Sequence, residues 1–258
     1  MSECILKTEG ISKAFGGVHA VENFSMELYS QEIRGIIGPN GAGKTTIYNC
    51  ISGIYRIDSG EIYFDGKRIT AMQQEEIARL GLSRTFQNTR LFAGLSVLDN
   101  VKSAIDWSGD YTILQAMLRT PKVRREEKRI RDEAMHCLET AKLDQYANMR
   151  PNNLPYGIQR RLEIARALAS KPKVLMLDEP AAGLNPEEVF ELIDFISEIR
   201  DSFNQSLLII EHRMDVIMTL CKHIYVQDSG RTIAQGTPEE IQKNPIVLKA
   251  YLGEVEEG

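Results

Sequence analysis

A chain of 258 residues, 43% hydrophobic and 26% charged, has the make-up of a globular protein and enough length for a sizeable core. Its net charge of −5 carries no overall basic excess of the kind a polyanion rewards, so nucleic acid is not an expected partner. The cysteines (Cys4, Cys50, Cys137, Cys221) form no C-x-x-C pair or zinc spacing, which predicts buried free thiols and a reducing compartment. The opening Met-Ser-Glu-Cys has no basic segment followed by an apolar core, so no signal peptide is expected. Apolar runs such as residues 174–177 and 207–210 fall far short of the about 20 residues that span a bilayer.

Residues 4–8, 21–28 and 33–37 alternate as strands do. The third runs into Gly38-Pro39-Asn40-Gly41-Ala42-Gly43-Lys44-Thr45-Thr46, a complete G-x-x-x-x-G-K-T loop, and a helix follows from near Gly43 with Ile47, Tyr48 and Ile51 inward. Glycines let the backbone turn tightly and aim N–H groups at an anion, and the helix N-terminus adds partial positive charge. In this pattern Lys44 reaches the β- and γ-phosphates and the Thr45 hydroxyl binds Mg²⁺. The glycine order is G-x-x-G-x-G, not the G-x-G-x-x-G of dinucleotide folds. A nucleoside triphosphate is the expected ligand.

Further along, residues 60–66 read as a short strand between glycines, 73–80 as a helix and 82–87 as a strand or extended segment. Residues 88–156 change character, and helical periods replace strands. Ile130, Ala134, Cys137, Leu138 and Ala141 share one helix face. That helix begins with Lys122, Arg124, Arg125, Lys128, Arg129 and Arg131, broken by Glu126 and Glu127. This is expected to be a solvated face with i,i+4 pairs, the alternative being a docking surface for protein or lipid. From Gly157 the α/β alternation returns, with helices over 157–169 and 186–203 and buried strands over 173–177 and 207–210. The expected fold is α/β: a doubly wound, mainly parallel sheet with an antiparallel β layer and an inserted helical subdomain. Residues 1–87 and 157–258 would form the nucleotide-binding core and residues 88–156 the helical subdomain, within a single domain over 1–258.

The strand Val174-Leu-Met-Leu ends in Asp178 and Glu179. A carboxylate at a sheet edge can hold Mg²⁺, and the acid after it can orient a water for in-line attack on the γ-phosphate. The run 208–210 repeats this geometry, ending in Glu211 and His212. If its strand lies beside the phosphate-loop strand, His212 contacts the γ-phosphate. Gln87 ends another extended segment and offers a carbonyl oxygen to both Mg²⁺ and the attacking water.

The segment Leu154-Pro-Tyr-Gly-Ile-Gln-Arg-Arg-Leu-Glu-Ile-Ala-Arg-Ala-Leu168 resembles the signature of ATP-binding-cassette proteins. Essentially the whole chain follows that family's order: the loop at 38–45, Gln87, the signature at 154–159, the acids at 178–179, Ala182-Gly-Leu-Asn185 and His212. The resemblance implies an ATPase with ATP and Mg²⁺ as cofactors. Phe15 would stack on adenine, Thr45, Gln87 and Asp178 would serve the metal, and Glu179, Gln87 and His212 would carry catalysis. It also implies head-to-tail pairing, in which Tyr156, Gly157, Ile158 and Gln159 face the ATP of a second cassette.

Finer pieces are Arg84-Thr-Phe-Gln87, Asp178-Glu-Pro-Ala-Ala-Gly-Leu-Asn-Pro186 and Ala250-Tyr-Leu-Gly-Glu254. They resemble the larger cassette type of branched-chain amino-acid importers. Related cassettes serving urea or other amino-acid import, or lipopolysaccharide-type export, are the alternatives. The resemblance implies a peripheral subunit on the cytoplasmic face of the membrane. Its partners would be a second cassette (a heterodimer ahead of a homodimer), integral permease subunits that dock on residues 88–105 and, indirectly, a solute-binding protein. Two positions depart from the family. Pro155 stands where a serine hydroxyl would reach the partner's γ-phosphate, which implies one weak and one strong site in a heterodimer. Arg213 stands where an acid is common.

Overall fold

The computed structural model describes residues 3–85, 91–105, 117–118 and 120–252. The chain divides into two compact units, Met1–Gln87 with Lys173–Gly258 and Asn88–Pro172.

The first unit holds two sheets. Strands β1 (Cys4–Phe15), β2 (Val18–Tyr29), β4 (Ser59–Phe64) and β5 (Lys67–Arg68) form an antiparallel sheet in the order β2-β1-β4-β5. The expected strand at 4–8 runs on to residue 15, because its irregularities are absorbed by register shifts. One falls at Gly10, whose φ of 56° suits glycine and whose N–H donates to Ser25 Oγ at 2.8 Å. The second sheet contains β3 (Ile33–Ile37), β6 (Leu82–Arg84), β7 (Val174–Asp178), β8 (Ser206–Ile210), β9 (His223–Asp228) and β10 (Arg231–Gly236), in the order β10-β9-β3-β8-β7-β6. All its pairings are parallel except β9–β10.

The buried runs of β3, β7 and β8 are apolar on both faces, as a covered parallel sheet requires. One face, through Ile36, Val174, Met176, Leu208 and Ile210, packs with Leu6, Phe24, Phe64 and the inner side of α1 (Lys44–Ile51) in one core. On the other parity, a Cβ at Gly35 would lie 3.0 Å from both Ile217 Cδ1 and Cys221 Sγ, so α7 (Met214–Leu220) sits close against the strand. Helix α6 (Pro186–Ser202) starts at a reciprocal cap: Asn185 Oδ1 accepts from Glu188 N–H, and Glu188 Oε2 accepts from Asn185 N–H. The sheet is flanked as the α/β reading expected. The sequence patterns did not distinguish β9, β10 and the closing helices α8 (Pro238–Gln242) and α9 (Pro245–Leu252), whose runs are short.

The second unit is helical: α3 (Val97–Lys102), α4 (Pro121–Thr140) and α5 (Tyr156–Ala169) pack on one another. Short α2 (Gln74–Arg79) belongs to the first unit. On α4, Ile130, Ala134 and Leu138 are buried as the period predicts, and Arg129 pairs with Glu126 at 2.6 Å and Glu133 at 2.8 Å on the solvated side. Asn100 is fully buried and satisfied by the Phe92 and Ser96 backbone. The return to the core was expected at residue 157, whereas the division falls at 172, because α5 packs on α3 and α4. A helix of 14 residues carries no mark of which unit buries its apolar side. Of the four thiols, Cys50 and Cys221 are buried, while Cys4 and Cys137 are only partly covered; all four are free.

Candidate active site

The loop 38–46 sits at the C-terminal end of β3, between β8 and β9. Gly38, Gly41 and Gly43 all have positive φ, at 151°, 82° and 96°. Two of these glycines are required by close approach: a Cβ would stand 2.1 Å from the Gln227 carbonyl oxygen at Gly38 and 2.1 Å from that of Ala20 at Gly43. At Gly41 a Cβ would meet nothing within 4 Å, so that part of the loop lines open space. The turn after β9 buttresses the loop from outside, since Gly230 N–H donates to Ala42 O and Glu22 N–H donates to Gly230 O. Helix α1 begins at Lys44, and its first-turn N–H groups have no intrahelical acceptor. A cradle of turned amides beside open space fits a phosphate chain.

Lys44 is buried, and its Nζ donates to Gly38 O at 2.7 Å and Pro39 O at 2.9 Å. Burial lowers its pKa, while Glu179, Asp178 and Glu211 nearby hold it up. Asp178 ends β7 and is 3% exposed. Burial raises its pKa against the opposing pull of Arg84, whose Nη2 lies 2.6 Å from Oδ2. The next residue, Glu179, takes a φ of 47°, a left-handed conformation that a non-glycine adopts at a cost. Its N–H donates to Ile210 O, which ties it to the end of β8.

β8 does run parallel beside β3, the condition set for His212. The His212 side chain is half exposed, with Nδ1 3.7 Å from Glu211 Oε2. Glu211 is fully buried and organises the turn: Oε1 accepts from Ala181 N–H, and Oε2 from His212 N–H and Arg213 N–H. Arg213 pairs with Asp215 at 2.8 Å. Phe15, at the end of β1, is 44% exposed, with Tyr55 edge-on at 5.2 Å and Lys13 Nζ 5.4 Å from its ring centre. Gln87 lies outside the described residues. Tyr156 opens α5 after Pro155, one residue earlier than expected. In the same unit Gly157 is buried, and Gln159 Nε2 is engaged with Leu154 O at 2.9 Å.

A model of the family described as "ABC transporter" matches residues 21–182, spanning the phosphate loop, the signature and the acids after β7. The chain belongs to the ABC transporter family. As a cassette of that family it binds and hydrolyses ATP. A second model, "Branched-chain amino acid ATP-binding cassette transporter", matches residues 231–257. The cassette is 45% identical to the high-affinity branched-chain amino acid transport ATP-binding protein LivG of Escherichia coli (strain K12), over 98% of this chain and all of that one. It is 43% identical to the corresponding BraF of Pseudomonas aeruginosa, with the same coverage. A solved nucleotide-free ATP-binding cassette from an ABC transporter shares the fold at a TM-score of 0.82 and 32% identity, over 98% of this chain and all of that one. A cassette solved in its ADP conformation gives 0.83 at 31% identity with the same coverage. The α/β class read from the sequence is the observed one.

Several parts of the site escaped sequence reasoning. Thr85 Oγ1 accepts from Asp178 N–H at 3.3 Å, Arg84 holds the Asp178 carboxylate, and Glu211 pins the turns after β7 and β8. A charged residue inside or just after an apolar strand was the available signal, since burial of such a group demands a partner. Among the described residues no group of three or more His, Cys, Asp or Glu side chains is placed to hold a metal. A Mg²⁺ site of one hydroxyl, one carboxylate and nucleotide phosphates does not need one.

Proposed function

We propose that this ABC transporter ATPase powers import of branched-chain amino acids. Its partners would be permease subunits at the cytoplasmic face of the membrane and, indirectly, a solute-binding protein. The observation carrying the reading is full-length similarity to two cassettes named for that transport, joined by the C-terminal match. Among the described residues no helix is long and apolar enough to cross a membrane, in keeping with a subunit that reaches the bilayer through others.

In the working site, Lys44 and the amides of residues 38–46 hold the phosphates, and Phe15 stacks on adenine. Thr45 and Asp178, with Gln87, would hold Mg²⁺, which would supply charge neutralisation for the phosphates. Lys44 already has a buried ammonium with two loop carbonyls as partners, so a phosphate exchanges acceptors rather than ordering a free chain. Glu179 polarises the attacking water from a position fixed by its backbone bond to Ile210. His212 contacts the γ-phosphate, with its turn held by Glu211. Catalysis is then positioning plus charge stabilisation. Tyr156, Gly157, Ile158 and Gln159 serve the ATP of a second cassette, a different chain before an identical one. The Gln159 amide is taken by Leu154 O, so the backbone at the start of α5 makes that contact.

The test is ATP-dependent uptake of labelled leucine in cells lacking the gene, restored with wild type or Glu179→Gln. Uptake restored by wild type alone is expected, with Glu179→Gln still binding ATP. Normal leucine uptake without the gene, in cells with no second leucine system, would refute branched-chain import and bring urea, another amino acid or export forward.

A further inference from the structure

We propose that Arg84 is a positioning residue for the metal site: it holds Asp178 by one carboxylate oxygen and fastens the end of β6 to the phosphate-loop helix. This rests on the reading of Asp178 as a Mg²⁺ ligand.

The guanidinium ties its own strand, β6, to two other elements, β7 and α1. Its Nη2 donates to Asp178 Oδ2 at 2.6 Å, and its Nη1 to Asn49 Oδ1 at 2.6 Å and Ser52 Oγ at 3.4 Å. Asn49 lies on α1 and Ser52 caps its end; three residues apart, they present one face to the fork. The charge also sits 5.4 Å from the Tyr48 ring centre, and the single Tyr48 hydroxyl proton is shared between Leu208 O and Leu177 O, bridging β7 and β8. Side-chain exposure is 7% for Arg84 and 4% for Asp178. A buried pair of this kind has one geometry, unlike a surface pair that exchanges partners with water.

Only Oδ2 is used. Asp178 Oδ1 accepts no hydrogen bond among the described residues, which leaves one oxygen for a cation. Arg84 therefore orients the carboxylate without covering it, as an outer partner does for a metal ligand. A planar fork suits this, because its two Nη groups diverge to Asp178 and Asn49 in a fixed geometry, whereas a lysine ammonium is a single point charge on a flexible stem.

The experiment titrates Mn²⁺, followed by electron paramagnetic resonance, into the full-length protein with a non-hydrolysable ATP analogue. For Arg84→Gln the Mn²⁺ half-saturation should rise by about tenfold, while analogue affinity in EDTA stays unchanged. Arg84→Lys should fall between Arg84→Gln and wild type, and Asn49→Ala should shift the midpoint the same way by less. Unchanged or tighter Mn²⁺ binding in Arg84→Gln, with weakened binding in Asp178→Asn, overturns the role of Arg84 alone. Unchanged binding in Asp178→Asn overturns the metal-ligand reading beneath it. Should Arg84→Gln lose cooperative unfolding, Asn49→Ala decides, and an unchanged midpoint there overturns the proposal.

Discussion

Replacing Gly43 by alanine tests whether the phosphate loop is shaped by contact with its surroundings. Gly43 precedes α1 at φ 96° and ψ 1°. A Cβ there would lie 2.1 Å from Ala20 O, on β2, where an unstrained C···O contact is about 3.3 Å. Something must therefore move by roughly 1 Å. Ala20 lies on β2 at a register shift, held between the paired residues His19 and Val21, so the loop is the softer side. The left-handed backbone costs about 1–3 kcal/mol for a residue with a side chain, and the forced shift about 1–3 kcal/mol more. A loss of about 2–6 kcal/mol is expected from these two terms. Urea unfolding of the nucleotide-free protein measures it, with Gly41→Ala as the control. At Gly41 φ is 82° and no atom lies within 4 Å, so only the backbone cost applies. A misplacement of about 1 Å in the amides should also cut turnover roughly a hundredfold. Equal stability losses for the two variants, or wild-type stability for Gly43→Ala, would refute the reasoning.

Two further outcomes follow from other parts of the molecule. Pro155 stands before α5 with no side-chain cap, and Pro155→Ser supplies both a capping oxygen and the missing signature hydroxyl. Turnover of the paired cassettes should rise, and no gain would argue against a weakened signature. Asp58 accepts from Lys13 Nζ at 2.8 Å and Ala14 N–H at 2.7 Å, beside Phe15, and Lys13 first and then Ala14 hold its pKa below the usual carboxylate value. A depressed acid stabilises the fold above its unfolded pKa, about 4, and that contribution is lost as pH falls through the folded value. The urea midpoint of wild type should exceed that of Asp58→Asn at pH 7, and the gap should close below about pH 4; a gap constant down to pH 3 would contradict this.

The phosphate loop and the acids after β7 were legible because their chemistry is local. Residues 38–46 need glycines at fixed offsets from a strand and a helix, and 174–179 need an apolar run ending in carboxylates. Periodicity likewise revealed the buried side of α4, where Ile130, Ala134 and Leu138 recur at helical spacing. The C-terminal strands were harder. β9 is buried yet ends in Gln227 and Asp228, and β10 is a partly exposed edge with no clean alternation. Nothing local marks Gly230 as the outer support of the loop, since it acts through Ala42 and Glu22.

The sequence alone determined that the chain binds a nucleoside triphosphate, the α/β class and the order of the motifs, because strands, helix starts and glycine turns are written in neighbouring residues. Only the tertiary structure decided that α5 packs with the helical unit, that Glu211 pins two turns and that Arg84 holds Asp178. Those facts join residues up to 94 positions apart; the last two follow from the demand of buried charge for a partner, which composition and spacing do not locate.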